Sequence, residues 1–236
     1  MILVINFGAQ YAHLIARRIR ELGVYSEILP HDASLEKIKS LNPEGIILSG
    51  GPASVYEKNA PKIDKKIFDL GIPVLGICYG LQLIGKHYGK VLPGKLKEYG
   101  KRFIFLKSRG ELLQGLNSKE QVWMSHGDLV SSLPKDFEIL AITETCPIAA
   151  MENTERNIYG LQFHPEVSHT LKGMQILENF VFGICKNIFP SRSILTSENA
   201  VPFDFVFRWR RWATQLTQAA QRTSCGVCQR KVFVAR

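Results

Sequence analysis

Through the first 186 residues, short apolar runs alternate with amphipathic stretches. Residues 2–5, 45–48 and 74–77 are apolar runs without internal alternation, the pattern of strands buried on both faces, in strands predicted over 2–7, 45–48 and 74–77; 26–29 reads as a further strand. Between them, Leu14, Ile15, Ile19 and Leu22 recur at helical spacing until Gly23, which predicts a helix over 10–22. Further helices are predicted over 34–41, with Ser34 as N-cap, and over 60–70 and 80–88. Strands that alternate with helices at this spacing build a mainly parallel sheet covered on both faces. Beyond Tyr88 the rhythm changes. Residues 102–106, 121–124, 138–142, 148–152 and 158–163 read as strands with short connections, part of them antiparallel, and a helix over 171–185 closes the domain. The expected architecture is a three-layer α/β domain with a mixed, mostly parallel central sheet flanked by helices.

Composition changes this picture at one place. The 236-residue chain carries a formal charge of +9, and the excess is uneven. Residues 1–186 hold 22 basic and 19 acidic groups; residues 187–236 hold 8 and 2. Lysine dominates before the boundary and arginine after it. The expected division is a main α/β domain over 1–186 and a basic tail of atypical composition, poorly ordered, over 187–236. The tail's Arg208-Trp209-Arg210-Arg211-Trp212 run has the make-up to contact phosphates and stack on bases and equally that of a peptide without an evolved partner, so a nucleic-acid partner is not expected; Cys225 and Cys228 resemble half of a zinc knuckle but lack a second ligand pair. The main domain is close to neutral, so the overall charge is a poor guide to what it binds. An apolar fraction of 45 % and five scattered cysteines fit a globular chain without a disulfide scaffold. No apolar run approaches the ~18 residues of a membrane span, and a strand begins at residue 2 where a signal peptide would place a charged region. The expected location is cytoplasmic.

The sharpest chemistry lies in Gly76-Ile77-Cys78-Tyr79-Gly80-Leu81-Gln82. A buried strand runs directly into a helix with Cys78 at the turn and glycines two positions to either side, the pattern of a nucleophile elbow. The helix N-terminus favours a thiolate there. His164-Pro165-Glu166, just after a predicted strand, supplies a base and an acid to orient it. Ser49-Gly50-Gly51-Pro52 ends another strand and can present a main-chain N–H. With the N–H of Tyr79, the Gly51 N–H would form an oxyanion hole. Cys146 and Cys185 have no such surroundings and read as core.

Together these motifs resemble the class I, or triad, glutamine amidotransferases. Asn6-Phe7-Gly8-Ala9-Gln10-Tyr11, Trp123-Met124-Ser125-His126-Gly127-Asp128 and the run from His164 to Thr170 narrow the resemblance to the glutaminase part of GMP synthetases. The resemblance covers residues 1–186 and implies a flavodoxin-like fold and hydrolysis of glutamine through a γ-glutamyl thioester on Cys78, with His164 and Glu166 completing the triad. It further implies that Gly50, Gln82, Ser125, His126 and Gly127 hold the substrate. No metal or cofactor is expected in this chain. ATP and magnesium are expected on a synthetase partner, an ATP-pyrophosphatase unit that aminates XMP and whose own phosphate loop has no counterpart here. Two departures stand out: that unit is absent, and Asn6 occupies a position where the family usually has Asp. The alternatives are an amidotransferase serving another synthetase and a non-catalytic regulatory or binding module that retains the fold.

Overall fold

The computed structural model describes residues 1–8 and 11–186. The tail 187–236, with the Arg-Trp run and the Cys225/Cys228 pair, lies outside the described residues, as do Ala9 and Gln10. Strands β1 (Ile2–Asn6), β2 (Ser26–Pro30), β3 (Gly45–Leu48) and β4 (Val74–Ile77) alternate with helices α1 (Tyr11–Glu21), α2 (Leu35–Ser40) and α3 (Tyr79–Tyr88). There follow β5 (Lys90–Leu106), β6 (Lys119–Ser132), β7 (Glu138–Ile142), β8 (Ala150–Asn153), β9 (Ile158–Leu161) and α4 (Gly173–Glu178). Among the described residues one nine-stranded sheet forms, in the order β2-β1-β3-β4-β9-β8-β7-β5-β6. Its first five strands pair in parallel and the rest antiparallel.

The continuous apolar runs follow from burial on both sides. Ile2 and Val4 of β1 join a core layer with Ile15 and Ile19 of α1 and with Phe180. Leu3 and Ile5, pointing the other way, join Ile38 of α2 and Leu81 and Ile84 of α3. β1, buried on both faces from Ile2 to Ile5, is thus apolar at each of those positions. Ser34 caps α2 as its position suggests, accepting a hydrogen bond from Lys37 N at 3.2 Å.

Four expected elements take other forms. Only Lys65–Asp69 is helical within 60–70, as a single 3₁₀ turn. Pro61 disfavours a helix at the preceding residue, and the Asp64 carboxylate accepts from Lys66 N at 3.0 Å, which starts the turn there. The closing helix widens after Glu178 into a π turn over Asn179–Ile184. At that junction the Asn179 amide donates to the Leu112 and Gln114 carbonyls at 3.0 and 2.9 Å. The strands expected over 102–106 and 121–124 are pieces of a long β5–β6 ribbon. Pro93 pairs with Asp128 and Glu98 with His126, so residues 94–97 bulge opposite Gly127 alone.

Candidate active site

The carboxyl ends of β1, β3, β4 and β9 meet at one edge of the parallel half, where sheets of this kind place their sites. Cys78 sits there between β4 and α3 with φ 52° and ψ −102°, a left-handed conformation that costs a non-glycine residue on the order of 1–3 kcal/mol. The flanking glycines make the turn possible. A Cβ on Gly76 would lie 2.6 Å from both Gly80 C and Leu81 N. One on Gly80 would lie 2.3 Å from the Leu48 carbonyl oxygen of β3. The strand can therefore enter α3 only with glycine at both places. Cys78 caps α3 by position, but its thiol makes no capping bond and instead donates to the Ser125 carbonyl at 3.5 Å.

His164 follows β9 and is 3 % exposed. Its Nδ1 lies 2.7 Å from Oε1 of Glu166, which is fully buried. Burial alone would lower the basicity of the ring. The Glu166 carboxylate and the Cys78 sulfur beside it outweigh that and hold its pKa well above the ordinary value. The segment carrying both residues is fastened to β6: His164 N donates to the Trp123 carbonyl at 3.0 Å. The Thr170 hydroxyl donates to the His164 carbonyl at 2.6 Å while accepting from Trp123 N at 3.0 Å. Arg18 of α1 donates to the Glu166 carbonyl at 3.0 Å, and the Tyr11 ring tilts against His164 at 5.4 Å between centroids.

Gly50 and Gly51 pass close to this pair. A Cβ on Gly50 would lie 3.0 Å from His164 Cε1 and 3.7 Å from Cys78 Cβ. One on Gly51 would lie 3.3 Å from the Tyr79 ring and 3.0 Å from the Phe7 carbonyl oxygen. The Ser49 hydroxyl orients the turn, accepting from Phe7 N at 3.2 Å and donating to the Gly50 carbonyl at 2.9 Å. The structure thus brings Gly50, Gly51, Cys78, Tyr79, His164 and Glu166 to one place. A cavity of about 470 Å³ opens beside Cys78, bordered by Gly51, Gln82, Ser125, His126, Gly127 and Asp128. Gln82 is turned inward and donates to the Asp128 carbonyl at 2.8 Å. The His126 main chain borders the cavity, whereas its side chain is 1 % exposed and is engaged elsewhere.

Asn6 accepts from Gly8 N through Oδ1 at 2.8 Å, a local turn that an Asp would close equally well. Sequence reasoning assigned no role to Arg18, Thr170 or Glu98. Thr170 ends the His164–Thr170 run, and Arg18 lies on the helix predicted over 10–22. Glu98 has no periodicity or spacing that marks it, because its partners at Thr143 and Thr145 are distant in the chain.

The Cys78 turn facing a His–Glu pair at the end of a doubly covered parallel sheet is an arrangement suited to cysteine acyl transfer. The sequence profile of the class-I glutamine amidotransferases matches residues 3–184, and the chain belongs to that family. Within it, the chain is 56 % identical over 185 residues to a glutamine-hydrolysing GMP synthase of Caldanaerobacter subterraneus and 53 % identical over 186 residues to that of Aquifex aeolicus. Both alignments take in 78 % of this chain and 36 % of the relative, so the chain spans about a third of the length of these curated relatives. Among solved structures, a candidate GMP synthase subunit from Thermoplasma acidophilum superposes with a TM-score of 0.71 at 37 % identity, covering 78 % of this chain and 93 % of that one. A glutamine amidotransferase from Thermotoga maritima shares the fold, with a TM-score of 0.57 at 24 % identity over 79 % of this chain and 85 % of that one.

Proposed function

We propose that the chain is the glutaminase component of a GMP synthetase. The observation that carries this reading is the placement of Cys78 and the His164–Glu166 pair at the head of a cavity walled by residues 125–128. Cys78 gives its thiol proton to His164, and the Sγ attacks the side-chain amide carbon of glutamine. The oxyanion that forms is met by the N–H groups of Gly51 and Tyr79. His164 delivers its proton to the departing nitrogen, ammonia leaves, and a γ-glutamyl thioester remains. His164 then takes a proton from water, which attacks the thioester and releases glutamate. Glu166 holds the imidazole in register and stabilises its charge. Gln82, Gly50 and the main chain of Ser125, His126 and Gly127 form the glutamine subsite. The ammonia passes to a synthetase unit that binds ATP and magnesium and aminates XMP.

The test is transfer of amide nitrogen. Glutamine labelled with ¹⁵N at the amide is supplied to this chain together with a GMP synthetase ATP-pyrophosphatase unit, ATP, magnesium and XMP. The reading predicts labelled GMP that disappears with Cys78→Ala. Glutamate release without labelled GMP would point to another synthetase as the recipient, and no Cys78-dependent glutamate release would overturn the enzymatic reading.

A further inference from the structure

The described residues hold a second buried polar cluster, which the triad does not use. Glu98 on β5 is 3 % exposed and its carboxylate is fully engaged. Oε1 accepts from the hydroxyls of Thr143 and Thr145, each at 2.7 Å, and Oε2 lies 3.0 Å from His126 Nε2. Burial by itself would raise this carboxyl; donation from His126, Thr145 and Thr143 outweighs it and brings the pKa down to about 2. His126 Nδ1 lies 3.0 Å from the Asp128 carbonyl, which also receives the Gln82 amide at 2.8 Å.

Glu98, His126 and Cys146 bring their ligating atoms within 4.8 Å of one another, the spacing of a metal site. Each of those atoms already has a protein partner. The Cys146 thiol donates to the Ile148 carbonyl at 3.3 Å, and burial pushes its pKa up to about 12, which keeps it from the thiolate form a metal would need. The cluster therefore reads as a clamp on main chain.

What it clamps follows from the register. Residues 94–97 bulge opposite Gly127, so the ladder that would hold β6 in place lapses beside the cavity. The stem of Lys97 lies over Gly127, 3.7–3.9 Å from where a Cβ would stand. His126 lies between Ser125, whose carbonyl receives the Cys78 thiol, and Asp128, whose carbonyl receives Gln82. Where the strand ladder is interrupted, a side-chain network takes over.

We infer that Glu98, held by Thr143 and Thr145, is a positioning residue that acts through His126 to fix the glutamine-facing main chain of residues 125–128. The inference rests on the glutaminase reading and deepens it. It assigns the His126 ring to support of the subsite, and it adds Glu98, Thr143 and Thr145 to the residues that set affinity for glutamine.

The test compares the wild-type chain with Glu98→Gln, Thr145→Val and Thr145→Ser, each assayed with the loaded synthetase unit. Glu98→Gln keeps the shape and loses the charge. It is expected to raise KM for glutamine about tenfold or more, in line with loss of a charge-assisted hydrogen bond, with kcat within about threefold. Thr145→Val is expected to raise KM about threefold, and Thr145→Ser, which restores the hydroxyl, to return it to the wild-type value. Alkylation of Cys78 by iodoacetamide, which needs the thiol and His164 but no glutamine subsite, is expected at the wild-type rate in all of them. Wild-type activity with an unchanged KM in both Glu98→Gln and Thr145→Val would overturn the inference. So would an equal loss of turnover and alkylation, or a failure of Thr145→Ser to rescue, since either indicates general structural support. A wild-type chain that releases no glutamate would instead overturn the glutaminase reading on which the inference stands.

Discussion

The parallel and antiparallel halves of the sheet solve different problems with different means. β1, β3, β4 and β9 are four- or five-residue strands buried on both faces, with one exception at Asn6, and they end together at the edge that carries Cys78 and His164. Their geometry is set by sterics: Gly76 and Gly80 leave the chain a single path into α3, and Cys78 rides on it in a strained conformation. The β5–β6 ribbon is long, wet on one face and broken by a bulge. Tyr99, Phe103 and Phe105 lie exposed along β5, and β6 alternates buried with half-buried positions. Its shape near the cavity depends on hydrogen bonds from Glu98, His126 and Gln82. Close packing fixes the turn that carries Cys78. A polar network gives a wall of carbonyls and amides that can recognise a polar substrate. On this account the parallel half governs turnover and the ribbon governs affinity.

The contrast can be broken or sharpened by substitution. Glu166→Gln leaves the packing intact and removes the charge that orients His164. It is expected to lower kcat about 10²–10⁴-fold with little change in KM, read by steady-state glutamate release. Gly80→Ala forces a methyl against the Leu48 carbonyl. A loss on the order of 1–3 kcal/mol is expected, seen as a fall of several degrees in Tm, with turnover falling because Cys78 is displaced. Gln82→Met joins the halves less firmly, since the Asp128 carbonyl keeps only His126. KM is expected to rise about three- to tenfold while kcat holds. Asn6→Asp should change neither parameter by more than about twofold, because only Oδ1 is used and an Asp supplies it.

Titration separates the halves in a second way. His164 has a folded-state pKa above its ordinary 6.5, so its contribution to stability is full below about pH 6.5 and is lost as pH rises through the raised value. Glu98 has a pKa lowered from 4.5 to about 2, so its contribution is full above about pH 4.5 and is lost as pH falls toward 2. Denaturation across pH should therefore show an alkaline decline that Glu166→Gln flattens and an acid decline that Glu98→Gln flattens. Either substitution acting on the opposite limb would contradict the assignment.

The same division explains what could be read from the sequence. Strands buried on both faces appear as unbroken apolar runs, so residues 45–48 and 74–77 match β3 and β4 in full. The elbow is legible because its glycines are local: residues four apart in sequence meet in space. The ribbon is not, since Pro93, Gly94 and Gly100 look like turn residues when they belong to a bulged strand. Glu98 was invisible because its meaning comes from Thr143, Thr145 and His126, and no local pattern encodes a contact at that range. The helix expected over 60–70 failed for a different reason: apolar residues at helical spacing were present, but Pro61 and Asp64 set the backbone before they could act.

The central claim is that Cys78, held on its elbow against His164, carries the γ-glutamyl group. It is tested most directly by mixing the chain with glutamine in the presence of the loaded synthetase unit, quenching in acid, and mapping the peptide containing Cys78 by mass spectrometry. The account predicts a γ-glutamyl adduct on Cys78 that decays with release of glutamate, is absent from Cys78→Ala, and accumulates when Glu166→Gln slows its hydrolysis. Cys78-independent glutamate release, or an adduct on Cys146 or Cys185, would contradict it.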